Sequence, residues 1–132
     1  MNNPPLNFEV LTRLVHRWDT VRAMVAEADA SEIERETLEK LISIFNLMAQ
    51  TGDTFVPPRA TELAEWLWAN GQSFGVPLRV IFLVRKAIRP ILIREYPGVE
   101  GFLNGQMHFE DISNYLLTLI SDAYCAAATA SK

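Results

Sequence analysis

The side chains of this sequence that are able to carry chemistry are few and lie far apart. Two histidines, His16 and His108, are available to hold a haem or a metal ion. A metal site built on two histidines needs further ligands at spacings such as HxxxH or CxxC, and neither spacing occurs. A haem-carrying globin needs a histidine on a late helix, where this sequence has aliphatic residues and arginine. We therefore expect no cofactor and no metal ion.

Cys125 is the sole cysteine of the sequence and the one candidate for catalysis by a thiol. Tyr124 and three alanines flank it, and no nearby cation is present to lower the pKa of the thiol. The adjacent carboxylates Glu110 and Asp111 could act as acid and base only in a cleft. At the start of a helix, such residues more often complement the helix dipole. We expect that the chain is not an enzyme and has no catalytic residue.

Composition and charge are those of a single globular domain. A chain of 132 residues can bury one ordinary core, and 49% hydrophobic with 21% charged residues is far from disorder. The net charge of −4 argues against nucleic-acid binding. The first residues lack a signal-peptide pattern, and the apolar segment 76–93 holds too many cations for a membrane span. We expect one cytoplasmic domain over residues 1–132, without nucleic-acid or membrane partners.

Hydrophobic spacing predicts an all-α fold with about five main helices, because no window alternates at the period of two typical of strands. The predicted helices run approximately over residues 7–28, 31–50, 58–70, 76–95 and 107–128. Ser31 and Glu34 have the spacing of a capping box at the start of the second helix. A loop through Gly101 and Gly105 is expected to lead into the last helix.

The stretch from Gly75 to Gly98 contains the predicted fourth helix, and the other helices are expected to pack against it. At helical spacing its aliphatic residues form one face. This face comprises Val80, Val84, Ala87, Ile88 and Ile91, with Ile81 and Leu92 at its edge. Residues 76–94 also hold five basic and no acidic residues, so the rest of the chain carries an excess of nine acids. These cations are expected to face the acids of residues 32–39 or the acids of a partner.

The chain contains more large apolar side chains than the single-sided faces of five helices can bury. A homodimer interface would cover the excess, since such interfaces concentrate aromatic residues and arginine around an apolar centre. The predicted interface residues are Phe82, Leu83, Arg89, Ile93, Tyr115 and Leu119. A pocket lined by Trp66, Leu67 and Phe82 is also predicted between the third and fourth helices. A thick core with scattered exposed apolar residues is the alternative.

Three features of the sequence together carry a family resemblance. They are the acid-rich second helix, the stretch ATELAEWLWANGQSFGVPLRVIFLVRKAIRPIL read as helix–turn–helix, and a last helix from Phe109 to Ala127. The layout resembles the N-terminal, non-haem globin-like sensor domain of RsbR-type stressosome proteins. The resemblance implies a globin-like bundle without haem that forms a homodimer. It also implies a non-enzymatic sensory role, in which the last helix relays a signal to a STAS-type output domain within the stressosome.

Three other functions fit the sequence at this point. A haem- or bilin-binding globin sensor would show a Soret band that is lost in His108→Ala. A carrier of a small hydrophobic ligand, or a helical enzyme, would place its pocket at Trp66 and Trp68. A helical adaptor unrelated to stressosomes would be distinguished by the partners it captures.

Overall fold

The computed structural model describes residues 5–130, and within this range the fold consists of helices and their connections without any strand. The all-α prediction is confirmed, but six helices are present where about five were predicted. They are α1 (Glu9–Leu14), α2 (Trp18–Glu27), α3 (Glu32–Thr51), α4 (Val56–Ala69), α5 (Gly75–Glu95) and α6 (Gly98–Ala130). Residues 1–4 and 131–132 of the predicted domain lie outside the described residues.

The helix predicted over residues 7–28 is divided into α1 and α2 by a tight turn. The amide of Arg17 donates to the carbonyl of Leu14 at 2.8 Å, and Arg17 has φ −118° and ψ 1°, outside the helical region. No glycine or proline marks the break, and the hydrophobic spacing continues across it, so that Leu14 and Trp18 are both buried. A pattern that is preserved across a turn predicts one helix rather than two.

The last helix begins at Gly98 instead of near residue 107, which corrects the predicted loop. Gly101 and Gly105 lie inside α6, where the side chain of Tyr96 packs against them. A Cβ atom at Gly105 would lie 2.8 Å from the Cε2 atom of Tyr96, closer than real side chains approach. Glycine is therefore required at this position by packing against the ring, and not by a turn. Gly98 itself has φ +80° and occupies the turn between α5 and α6.

The core forms where α5 packs against α2, α3 and α6, while α6 also packs along α4. The predicted apolar face of α5 is confirmed, since all seven of its residues are buried. Three aromatic rings link the other helices across the centre. The ring of Trp18 stacks on that of Phe45 with 5.7 Å between the ring centres. The centre of the Phe45 ring lies 5.3 Å from that of Phe109 on α6. The indole N–H of Trp18 donates to Asn46 at 2.8 Å, so the polar atom of this ring is satisfied.

The helices begin and end as the sequence predicts where the chain has a capping box or a terminal glycine. Ser31 and Glu34 form the predicted capping box: the Ser31 hydroxyl accepts from the Glu34 amide, and the Glu34 carboxylate accepts from the Ser31 amide. Gly52 ends α3 with φ +65°. Within residues 5–130, no helix has both the length and the apolar character that crossing a membrane requires.

Candidate functional site

The residues able to carry chemistry are dispersed over the fold. His16 is exposed in the turn between α1 and α2, whereas His108 lies partly buried on α6. Cys125 is exposed near the end of α6. Among the described residues, no group of three or more histidine, cysteine or acidic side chains is arranged to hold a metal ion. The absence of enzymatic activity and of a cofactor stays a prediction.

The surface of α5 that faces away from the core exposes large apolar side chains together with cations. Five residues at spacings of three and four form this surface, which we call the outer stripe: Leu78, Phe82, Lys86, Arg89 and Ile93. At about 100° per residue they fall within an arc of roughly 80° on the helix. Phe82 is 60% exposed and Ile93 is 61% exposed, with Leu78 at 47%. The ammonium group of Lys86 lies 5.7 Å from the centre of the Phe82 ring.

Two other cations of α5, Arg79 and Arg85, form contacts inside the chain. The guanidinium group of Arg85 donates to the Ser113 hydroxyl at 2.7 Å and to the Asn114 side chain at 2.6 Å, which fastens α5 to α6. Arg79 pairs with Glu34 at 2.5 Å, as predicted for cations that face the acids of residues 32–39. Arg89 has no ion pair with any residue between 5 and 130. Lys86 and Arg89 of the outer stripe, together with Arg94 at the end of α5, therefore have no ion pair within residues 5–130 and are available to a partner.

The six predicted interface residues do not share one surface. Phe82, Arg89 and Ile93 lie together on the outer stripe, but Leu83 is turned partly into the core. Tyr115 and Leu119 lie on α6, and both are partly buried against the core cluster. Leu78 and Lys86 also lie on the outer stripe, although the sequence analysis did not name them. The spacing of four residues on either side of Phe82 is the signal that would have identified them.

The three residues predicted to line a pocket have three different environments. Trp66 lies against α3, with the ammonium group of Lys40 4.6 Å from the centre of one of its rings. Leu67 is fully buried in the core, whereas Phe82 is mostly exposed on α5. A pocket shared by these three side chains stays a prediction.

A cluster around Tyr96 ties α1 to the turn between α5 and α6. The Tyr96 hydroxyl donates to the Glu9 carboxylate at 2.6 Å, and the guanidinium carbon of Arg13 lies 4.6 Å from the centre of the tyrosine ring. Arg13 also donates to the carbonyl of Glu95 at 2.9 Å. The Tyr96 hydroxyl and the Arg13 guanidinium lower the pKa of Glu9, while burial and the Glu9 carboxylate raise the pKa of Tyr96.

This cluster predicts a dependence of stability on pH. Because the pKa of Glu9 is below 4.5 in the folded chain, its ionised form stabilises the fold above the unfolded pKa, and this contribution is lost as the pH falls through the folded pKa. Glu9→Gln is expected to lower the free energy of unfolding at pH 7 by a few tenths to about 1 kcal/mol, because the pair is exposed. Urea denaturation at pH 7 and at about pH 3 measures the difference.

The matched control for this prediction is Glu36→Gln, which changes an exposed glutamate of α3 that has no partner among the described side chains. This control should have little effect on stability at either pH. If Glu9→Gln costs the same free energy at both values of pH, the contribution of Glu9 does not depend on its charge, and the prediction is wrong.

No protein-family model, curated protein or solved structure matches this chain.

Proposed function

We propose that the chain is a non-enzymatic regulatory domain that acts by self-association through the outer stripe of α5. The observation that supports this proposal is the exposure of Phe82 and Ile93 on one narrow face, with Lys86 and Arg89 between them. Large apolar side chains that are exposed together, rather than singly, mark surfaces that bind other molecules. Aromatic residues and arginine are the types enriched at the centres of protein interfaces.

The spacing of the outer stripe favours a second copy of the chain as the partner. Leu78 and Ile93 lie equally far from the midpoint between Arg85 and Lys86, and so do Phe82 and Arg89. A two-fold axis at this midpoint would place two antiparallel copies of α5 side by side. Leu78 of one copy then lies opposite Ile93 of the other, and Phe82 opposite Arg89. The second of these contacts would be a cation–π interaction between the copies.

The size of the stripe sets the strength of association that we expect. It extends along α5 for roughly 22 Å, at about 1.5 Å per residue. One pair of crossing helices buries less than the ~1,200–2,000 Å² typical of a stable interface. We therefore expect a reversible dimer, whose population a signal could shift by a small change in affinity.

The resemblance to RsbR-type sensor domains extends this proposal. According to this resemblance, the bundle is globin-like and cytoplasmic. A change at the dimer contact then passes along α6 to a STAS-type output domain. The all-α fold and the packing of α6 against both α4 and α5 are compatible with such a relay. A STAS-like segment after Lys132 in the native gene, together with stressosome proteins captured from the native cell, would support the extension. Expression with added haem tests the rival haem sensor, which requires a Soret band.

Phe82→Lys is expected to weaken self-association by roughly a hundredfold or more, because each dimer loses two central aromatic contacts and brings each new lysine opposite Arg89 of the other copy. Sedimentation equilibrium over a wide range of concentration measures the effect. Leu103→Lys is the matched control, since Leu103 is an apolar residue on α6 that is 54% exposed and lies outside the stripe. This control should associate like the original chain. A dimer that survives Phe82→Lys, or a strict monomer before any substitution, contradicts the proposal.

Salt distinguishes a second copy from an acidic partner. In the antiparallel arrangement Lys86 of one copy lies near Lys86 of the other, so screening of their repulsion strengthens the dimer as ionic strength rises. Association with an acidic partner would instead weaken as salt is added, because salt screens the attraction.

A further inference from the structure

Most of the positive charges of α5 have no carboxylate against them, although the chain contains 16 acidic residues. Arg79 pairs with Glu34, whereas Arg85 donates only to uncharged groups of α6. The remaining cations of α5 have no ion pair within the part of the chain that the structure describes: Lys86, Arg89 and Arg94. Residues 75–94 include no acid of their own. Any contact between two copies of α5 therefore brings together positive charges that lack contacting counter-charges.

The two-fold axis of the proposed dimer places Lys86 next to Lys86 of the other copy. Because the axis passes between Arg85 and Lys86, the two lysines differ by only about 1.5 Å along the helix direction. Packed helices lie about 8–10 Å apart, so the two Lys86 Cα atoms come within roughly 5–7 Å of each other. This separation is shorter than the combined reach of two lysine side chains.

The two lysines also lie on the same rim of the interface. Lys86 is at one edge of the outer stripe, and rotation about an axis perpendicular to both helices keeps the two copies of this edge on one side of the pair. Lys86 is exposed in the single chain. Its ammonium group lies 5.7 Å from the centre of the Phe82 ring, which keeps it close to the apolar middle of the stripe. The dimer therefore has a cleft at its axis that is open to solvent and flanked by two ammonium groups.

A polyvalent oxyanion fits this cleft better than chloride does. Each ammonium group offers three hydrogen-bond donors, and the hydrogen bonds that join charged groups are stronger than neutral ones. A phosphate-type anion has oxygen atoms on opposite sides and more than one negative charge. It is therefore able to accept from both lysines and to neutralise both charges at once, whereas chloride is a single monovalent acceptor.

We infer that a small polyvalent phosphate anion, free in solution, binds between the two Lys86 side chains and promotes the dimer. The inference rests on the proposed self-association through α5 and names a ligand that regulates it. Neither copy forms this site alone, because each contributes one of the two lysines. A ligand that binds the dimer in preference to the monomer shifts the association equilibrium towards the dimer. The concentration of such anions would then set the fraction of the chain that is dimeric.

Sedimentation equilibrium of the whole chain in sodium pyrophosphate and in sodium chloride, matched in ionic strength, tests this inference. Equal ionic strength makes the general screening of charge the same in both salts. Pyrophosphate is expected to lower the dimer dissociation constant about three- to tenfold below its value in sodium chloride, since the contacts it adds are ion pairs exposed to solvent.

Lys86→Gln separates the bridging anion from other effects of pyrophosphate. It should associate more tightly than the original chain at low salt, because the repulsion between the lysines is removed, and it should respond equally to the two salts. Arg94→Gln is the matched control, since it removes the same charge from an exposed position of α5 about 13 Å along the helix from the axis. This control should keep the full response to pyrophosphate. Effects of pyrophosphate on water or on apolar contacts are common to all three chains.

The outcomes distinguish this inference from the proposed function. A chain that dimerises equally in the two salts, or a Lys86→Gln variant that keeps the preference for pyrophosphate, overturns the anion site and leaves self-association through α5 in place. Loss of that preference in Arg94→Gln as complete as in Lys86→Gln also overturns the site. A chain that stays monomeric in both salts overturns the proposed self-association and the anion site with it.

Discussion

Phe109→Ala is expected to lower the free energy of unfolding by about 3–5 kcal/mol, the typical cost of removing a fully buried phenylalanine. Phe109 has no exposed surface, and its ring lies 5.3 Å from that of Phe45, which stacks in turn on Trp18. Truncation therefore removes the contact by which α6 reaches the aromatic centre and leaves a cavity between three helices. Urea or thermal denaturation measures the loss, which is a large part of the ~5–15 kcal/mol that stabilises an ordinary domain.

Phe82→Ala is the matched control, because it removes the same ring from the exposed surface of α5. The change in the unfolding free energy of the monomer should be within about 0.5 kcal/mol. If Phe109→Ala does not fold, Phe109→Leu keeps much of the volume and should show a smaller loss of the same sign. Equal losses of unfolding free energy in Phe109→Ala and Phe82→Ala would contradict the burial of the Phe109 side chain between α6 and the core.

Gly105→Ala is expected to destabilise the fold, although alanine is the better helix former. The added methyl group would lie 2.8 Å from the ring of Tyr96, which the Glu9 carboxylate and the Arg13 guanidinium hold in place. Displacing the ring costs about 1–3 kcal/mol as overpacking, and the gain in helix propensity offsets up to about 1 kcal/mol of this. The free energy of unfolding should therefore fall by roughly 1–2 kcal/mol in urea denaturation.

Gly101→Ala provides a control of opposite sign in the same helix. A Cβ atom at this position would lie 3.4 Å from the nearest atom of Tyr96, which is an ordinary contact. Alanine should therefore stabilise α6 by about 0.5–1 kcal/mol. In a Tyr96→Leu background the penalty of Gly105→Ala should shrink, because the ring that opposes the methyl group is gone. Stabilisation by both alanine substitutions would contradict the packing of Tyr96 on α6.

The part of the fold that the sequence predicted is the part that local patterns determine. The inward face of α5 was identified because residues that recur every three or four positions must share one side of a helix. The capping box at Ser31 and Glu34 was identified because its hydrogen bonds are formed within one turn. Such features require no knowledge of which helix packs against which.

The corrections fall where the local sequence signal is misleading or missing. Gly101 and Gly105 suggest a loop in sequence, yet both lie within α6, where Tyr96 packs against them. The turn at Arg17 has no glycine or proline to mark it, and the Arg17 side chain pairs there with Glu95 at 3.0 Å. A contact between residues as far apart in the chain as Arg17 and Glu95 leaves no local pattern from which it could be predicted.

The candidate surfaces were partly predictable for the same reason. The excess of apolar residues indicated an interface, and Phe82, Arg89 and Ile93 were correctly placed outside the apolar face of α5. Their neighbour Leu83 turns towards the core because of its angle on the helix, which only the packing of α5 fixes.

A dilution series followed by amide resonances of the unmodified chain tests self-association through α5 most directly. If α5 mediates self-association, resonances of the outer stripe, at Phe82, Lys86 and Arg89 above all, shift progressively as concentration rises from micromolar to millimolar. Resonances of α4 should stay fixed over the same range. Spectra that do not depend on concentration, or shifts confined to surfaces other than the outer stripe, would contradict it.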